Sequence, residues 1–102
     1  MTVALMWEAR AAEGRGADLL AWVRARPAAG SPLRREILRA PGDRVLVITW
    51  WDAPYDAELP ELPDPEGELV ARAVHRWRFE SVPDAAGGGS ADGMADRRLT
   101  TD

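Results

Sequence analysis

Residues 44–51 have the sequence RVLVITWW, and this strongly apolar stretch decides the fold. Its β-branched and aromatic residues predict a strand, in which successive side chains point to opposite faces of a sheet. Trp50 and Trp51 must therefore lie on different faces. Both alternating sets of the strand are apolar: Val45, Val47 and Trp51 on one side, Leu46, Ile48 and Trp50 on the other. Such a strand is central in its sheet and needs cover on both faces.

The segments before this strand predict a strand, a helix and a second strand. Residues 2–8, TVALMWE, form a short apolar run, and residues 17–26, ADLLAWVRAR, gather apolar side chains on one side of a helix that Pro27 stops. Residues 33–39, LRREILR, alternate only in part and predict an edge strand. Residues 40–43, APGD, place Pro and Gly at the central positions of a type II turn, which closes a hairpin.

The second half of the chain opens with the acidic, proline-rich segment 52–68, whose prolines forbid a long helix. A short helix is expected at roughly 65–72, because Asp64 can cap it and Pro65 suits its first turn. A last strand is expected at 73–80, with His75, Trp77 and Phe79 on one face and Val74, Arg76 and Arg78 on the other. Residues 83–102 have the composition of a flexible tail, which leaves one domain at 1–82.

This order predicts an α+β fold, the ferredoxin-like βαββαβ arrangement with a four-stranded antiparallel sheet and a shortened second helix. In that arrangement the first and third strands are central and the helices cover one face. Both of these strands are apolar on their two sides, and the chain has no further segment to cover the second face. A domain of about 80 residues also buries only roughly 60–65% of its unfolded surface. We therefore expect a homodimer formed through the sheet face.

Composition excludes several classes of protein. Cysteine is absent, so there is no disulfide framework, thiolate nucleophile or zinc ribbon. The net charge of −4 argues against nucleic-acid binding. The N-terminus meets Glu8 before an apolar run becomes long enough for a signal peptide or a membrane span, which predicts a cytoplasmic protein. All 13 basic side chains are arginine, a bias that GC-rich codon usage produces.

The chain resembles the dimeric α+β barrel proteins, specifically the antibiotic-biosynthesis-monooxygenase-like group. The likeness rests on TVALMWEAR followed by an amphipathic helix, on RVLVITWW as the inner strand and on VHRWRFESV as the last strand, and covers residues 2 to 82. It implies two ferredoxin-like subunits joined sheet to sheet, often with a pocket between sheet and helices. It also implies a small aromatic or polyketide-like ligand and, where a member is an enzyme, cofactor-independent oxygenation.

The chain departs from this family in two ways. Haem-degrading members are similar to one another in pairing an asparagine on the first strand with a histidine on the second helix. This chain has no asparagine, and its single histidine, His75, falls on the last predicted strand, so haem degradation is disfavoured. The shortened second helix follows the acidic segment, so the wall of any pocket must be built differently.

The candidate catalytic residue is His75, because its ordinary pKa lies near neutrality. It is alternatively a packed histidine with one hydrogen bond. The candidate ligand-binding residues are the aromatic side chains Trp7, Trp50, Trp51, Tyr55 and Trp77. Indoles give rigid contact area for a flat ligand, but core and dimer packing also explains them and is the favoured interpretation of any single tryptophan. Tyr55 can hydrogen-bond a ligand or close the edge of the core.

The charged residues also leave alternatives open. Residues 52–68 hold seven acids and no base, in a spacing that matches no calcium loop, so no metal site is expected. The segment is either solvated or contacts arginines of the partner subunit, with Arg34, Arg35 and Arg39 as candidates. Arg76 and Arg78 either bind an anionic ligand or face solvent at the edge of the sheet.

Two functions are consistent with these observations. The first is a small pocket protein that binds or oxidises an aromatic metabolite without a cofactor, with His75 as a base. The second is a non-catalytic dimeric module that binds a ligand or supports a partner protein.

Overall fold

The computed structural model describes residues 1–84; most of the predicted tail, from residue 85 to residue 102, lies outside the described residues. The described part is a small α+β fold with a four-stranded antiparallel sheet and an α-helix, as predicted. Its elements are strand β1 (Thr2–Arg10), helix α1 (Gly16–Arg24), strands β2 (Arg34–Ala40) and β3 (Arg44–Asp52), a 3-10 turn at Gly67–Leu69, and strand β4 (His75–Glu80).

The strand order across the sheet is β2-β3-β1-β4, so β3 and β1 are the two central strands. Strands β1 and β3 pair along their whole length, from Thr2 opposite Asp52 to Arg10 opposite Arg44. This places RVLVITWW in the middle of the sheet, where a strand with two apolar sides belongs.

The β2–β3 hairpin closes at residues 41–43, as the Pro-Gly pair predicts. Gly42 has a φ of 83°, in the left-handed region that glycine adopts without a steric penalty. Asp43 follows with a φ of 60°, which an aspartate tolerates better than most residues. Ala40 then faces Arg44 in the ladder.

The predicted second helix at roughly 65–72 is wrong: only the single 3-10 turn Gly67–Leu69 forms. The backbone there bonds to the end of β1 instead, since the Ala12 amide donates to the Leu69 carbonyl and the Ala71 amide to the Arg10 carbonyl. Val70 is extended and forms an isolated bridge with Ala11. These contacts outcompete a helix that would contain a glycine and a β-branched residue. Strand β4 accordingly begins at residue 75 and not at 73.

One face of the sheet carries the core, which falls into two clusters. The larger cluster lies between α1 and the sheet. It contains Trp7, Ala9, Ala11, Leu19, Val23, Val45, Val47 and Leu69. The smaller one contains Val3, Leu5 and Trp51, with Ala53 and Leu59 packed against it. Helix α1 has nine residues and is about 14 Å long, whereas the nine-residue strands beneath it span about 30 Å. The helix therefore covers only part of this face.

The opposite face, called the open face below, carries apolar side chains that are all half-buried or exposed. Its apolar members are Ala4, Met6, Leu38, Ala40, Leu46, Ile48, Trp50, Trp77 and Phe79. Trp77 and Phe79 keep 43% and 48% of their surface exposed. Large apolar patches of this kind mark interaction surfaces.

No helix within residues 1–84 is long and apolar enough to cross a membrane.

Candidate functional site

A cleft of about 390 Å³ lies between the sheet and the layer that covers it. Its floor comes from alternate residues of the central strands: Leu5, Trp7, Val47, Thr49 and Trp51. One wall is the chain leaving α1, residues 25–29, and the other is the stretch 60–63 of the acidic segment. The floor joins the two core clusters, so the cleft occupies the part of the sheet that the short helix does not reach.

Arg76 of β4 positions the second wall of the cleft. Its guanidinium donates to Glu61 Oε1 at 3.1 Å, to the Leu62 carbonyl at 2.7 Å and to Asp64 Oδ1 at 2.6 Å. An arginine that bonds carboxylates and a carbonyl from three neighbouring residues holds an extended chain in one path. The acidic segment is thus fastened to its own sheet, and two of its acids pair with Arg76.

Arg78 fastens the start of the same segment. Its Nη1 donates to the carbonyls of Tyr55 and Ala57, and the Tyr55 hydroxyl donates in return to the Arg78 carbonyl at 3.3 Å. The prolines of the segment keep its backbone extended, which leaves these carbonyls available to side-chain donors. Tyr55 therefore lies against β4 and does not line the cleft.

Two tryptophans form the aromatic floor of the cleft. Trp51 is 7% exposed, and its Nε1 donates to Thr49 Oγ1 at 3.0 Å. Trp7 is 5% exposed and stacks on Trp22 of α1, with ring centroids 6.0 Å apart and planes 9° from parallel. Trp7 Nε1 is the one buried side-chain nitrogen or oxygen in residues 1–84 without a hydrogen-bond partner. Unpaired buried donors are rare in folded proteins.

Two arginines line the cleft near the end of α1. Arg35 of β2 donates from Nη2 to the Arg26 carbonyl at 2.9 Å and to the Val23 carbonyl at 3.4 Å, at the negative end of the helix dipole. The Val23 carbonyl also accepts from the Arg26 amide at 3.0 Å. The Arg26 guanidinium lies 3.9 Å from the centroid of the Trp22 ring and donates to the Trp22 carbonyl at 3.0 Å. Neither arginine forms an ion pair with an acid of the described residues.

His75 lies on the open face and is absent from the lining of the cleft. The alternation predicted for β4 is confirmed, because His75, Trp77 and Phe79 face Glu8, Met6 and Ala4 of β1. The imidazole makes an edge contact with Trp77 at a centroid distance of 5.5 Å, and its Nδ1 is 3.5 Å from Glu8 Oε1. The side chain remains half-exposed.

Glu8 is the partner of His75 that sequence reasoning missed. Its side chain is 5% exposed, and Arg72 Nη2 donates to both carboxylate oxygens at 2.8 Å. Arg44 Nη1 approaches Glu8 Oε2 at 3.9 Å. The sequence contains one signal for Glu8: it is an acid in the alternating set that otherwise contains the apolar residues Ala4 and Met6. The partners of Glu8 could not be predicted, because they come from distant parts of the chain.

Of the residues predicted to bind a ligand, Trp7 and Trp51 lie in the floor of the cleft. Trp77 borders the cleft as well, but the register of β4 places it with Met6 on the open face. Trp50 lies on the open face beneath the Arg34 guanidinium, which is 5.2 Å from the ring centroid. Residues 1–84 contain no group of three or more His, Cys, Asp or Glu side chains that could hold a metal ion.

Comparison of the chain with protein-family models, with curated proteins and with solved structures found no significant match.

Proposed function

We propose that this chain is a ferredoxin-like subunit of a dimeric α+β barrel, similar to the antibiotic-biosynthesis-monooxygenase-like group, and that it acts in the cytoplasm without a cofactor. The strand order β2-β3-β1-β4 and the single layer over one face support this proposal. The open face supports a homodimer, because its row of half-buried and exposed apolar side chains crosses all four strands.

The function that the geometry supports best is the binding of a small, flat, largely apolar molecule in the cleft. The observation that supports this function is the floor of two buried tryptophans in the cleft. The volume of the cleft, about 390 Å³, falls within the usual range of about 300–1,000 Å³ for ligand pockets. An aromatic ring bound between these walls would stack on an indole of the floor and would be buried from solvent.

Binding is favoured over oxidation of the ligand. A base must come within hydrogen-bond reach of the proton that it removes, or act through one water. His75 is on the other face of the sheet, with its Nδ1 toward Glu8. The acid that lines the cleft, Glu61, is held by Arg76. We therefore propose a non-catalytic dimeric binding protein, in which His75 and Glu8 belong to the open face.

A blocking substitution tests this function. Ala25 is exposed and lines the cleft, so Ala25→Phe should occupy it and abolish binding of 2-naphthol, measured by calorimetric titration. Ala21 is exposed one helical turn earlier and does not line the cleft, which makes Ala21→Phe the matched control. Binding that survives Ala25→Phe unchanged, or no binding by the wild type at millimolar 2-naphthol, would refute the proposal.

A further inference from the structure

We infer that the ligand of the cleft is an aromatic anion, a flat ring system that carries a carboxylate, held at its charged end by Arg26 and Arg35. The inference rests on the proposed binding function and adds the chemical class of the ligand.

The charge of the cleft is the first step. Arg26 and Arg35 both line it, and the hydrogen bonds that they make within residues 1–84 go to backbone carbonyls. The carboxylate in the lining, Glu61, is neutralised from outside the cleft by Arg76 at 3.1 Å. Within residues 1–84 neither guanidinium group of the cleft has a counter-ion, although the chain as a whole carries a net charge of −4.

The position of these groups is the second step. Each arginine is half-buried as a residue and uses one of its two terminal nitrogens for the hydrogen bonds described above, Nη1 in Arg26 and Nη2 in Arg35. An arginine has five N–H donors in a planar fork that matches a carboxylate, so donors remain for a ligand. The contacts to the carbonyls at the end of α1 and to the Trp22 ring hold both forks in place before a ligand arrives, which reduces the entropic cost of binding.

The third step joins the two parts of the site. The arginines lie at the end of α1, and the tryptophan floor extends from there across β1 and β3. An apolar ring can lie on this floor while its carboxylate reaches the guanidinium groups. A neutral ring of the same size would bury the same area but would leave the two charges without a partner.

A pair of probes with one ring system tests the inference: 2-naphthoate and 2-naphthalenemethanol, titrated calorimetrically against the full chain. We expect 2-naphthoate to bind about tenfold more tightly, because a hydrogen bond to a charged group contributes at least about 1.4 kcal/mol. Arg26→Met and Arg35→Met should each remove most of this preference, measured as the ratio of the two dissociation constants within each variant. Arg24→Met, an equal loss of charge at an exposed position outside the cleft, should leave the preference intact.

The outcomes separate the two proposals. If the alcohol binds as tightly as the acid, or if the preference survives both Arg26→Met and Arg35→Met, the anion inference is wrong and the cleft remains a site for neutral rings. If neither probe binds to the wild type, the binding function itself fails. Since Arg35 also holds the end of α1, circular dichroism checks that variant, and Arg26→Met decides alone if Arg35→Met does not fold.

Discussion

Trp50 and Trp51 are neighbours in the chain and lie on opposite faces of the sheet. Trp51 is 7% exposed in the floor of the cleft, whereas Trp50 is half-buried on the open face, with the Arg34 guanidinium 5.2 Å from its ring centroid. The two indoles therefore belong to different layers: one contributes to the core and the cleft, and the other to a surface that a second subunit is proposed to cover.

Trp51→Ala should lower the free energy of unfolding by about 3–5 kcal/mol, the usual cost of truncating a buried aromatic residue. The total free energy of unfolding of a chain of this size is only about 5–10 kcal/mol. Trp50→Ala should cost less than half as much when both variants are measured at nanomolar concentration, where a dimer contributes least. Urea unfolding followed by the fluorescence of the remaining tryptophans measures both losses, and an equal loss in the two variants would contradict the assignment of Trp50 to the open face.

The open face should hold two subunits together, and light scattering should report twice the chain mass of 11.2 kDa at micromolar concentration. Ile48→Asp places a charge in the middle of this face and should produce a folded monomer, because burying an unpaired carboxylate in an interface is costly. Val82→Asp makes the same chemical change at a side chain that is 73% exposed and outside the strands, and should remain dimeric. A wild-type monomer would refute the dimer.

The strands could be predicted from sequence because alternation is a local signal. The two apolar sets around Trp50 and Trp51 identify a central strand, and Pro41 and Gly42 identify the turn before it. The acidic segment 52–68 has no such period. Its path depends on carbonyls that bond Arg76 and Arg78, which are 14 to 23 residues away in the chain, so local patterns could not place it.

The candidate site could also be predicted only in part, because local patterns do not show contacts between residues that are far apart in the chain. Large buried indoles are visible in the sequence, and Trp7 and Trp51 do line the cleft. The partners of charged groups are not visible. Glu8 meets Arg72 at a separation of 64 residues, and Arg35 meets the end of α1 at 9 to 12 residues, through contacts that exist only after the sheet has formed.

Arg76→Gln should loosen the wall of the cleft. The substitution removes three hydrogen bonds to residues 61–64, and we expect a loss of about 1 kcal/mol, since the groups are partly solvated. The clearer result should be a faster amide hydrogen exchange in residues 61–64 than in the wild type, with no change in β1. Arg39→Gln, at an exposed position without an ion pair in residues 1–84, is the control and should change neither measurement.

Glu8→Gln should destabilise the chain by about 1–3 kcal/mol, because it leaves Arg72 and Arg44 facing a neutral group at a buried position. Glu13→Gln, an exposed acid without an ion pair among the described residues, should have an effect within about 0.5 kcal/mol. Glu8→Gln combined with Arg72→Met should cost less than the sum of the single changes, because each removes the same contact. Additive losses in urea unfolding would show that Glu8 and Arg72 do not interact.

Gly42→Ala should destabilise the chain by about 1–2 kcal/mol through its backbone, because a φ of 83° is unfavourable for any residue with a Cβ. The added Cβ would lie 2.9 Å from Arg10 Nη2, but this is the end of a flexible side chain and can move, so the strain in φ sets the cost.

Gly67→Ala provides the contrast: no atom lies within 4 Å of its added Cβ, and φ is not in the left-handed region. That variant should be neutral or up to about 1 kcal/mol more stable, since alanine restricts the unfolded chain. Thermal unfolding of the two variants should thus give shifts of opposite sign or of clearly different size, and equal shifts would exclude the left-handed conformation at Gly42.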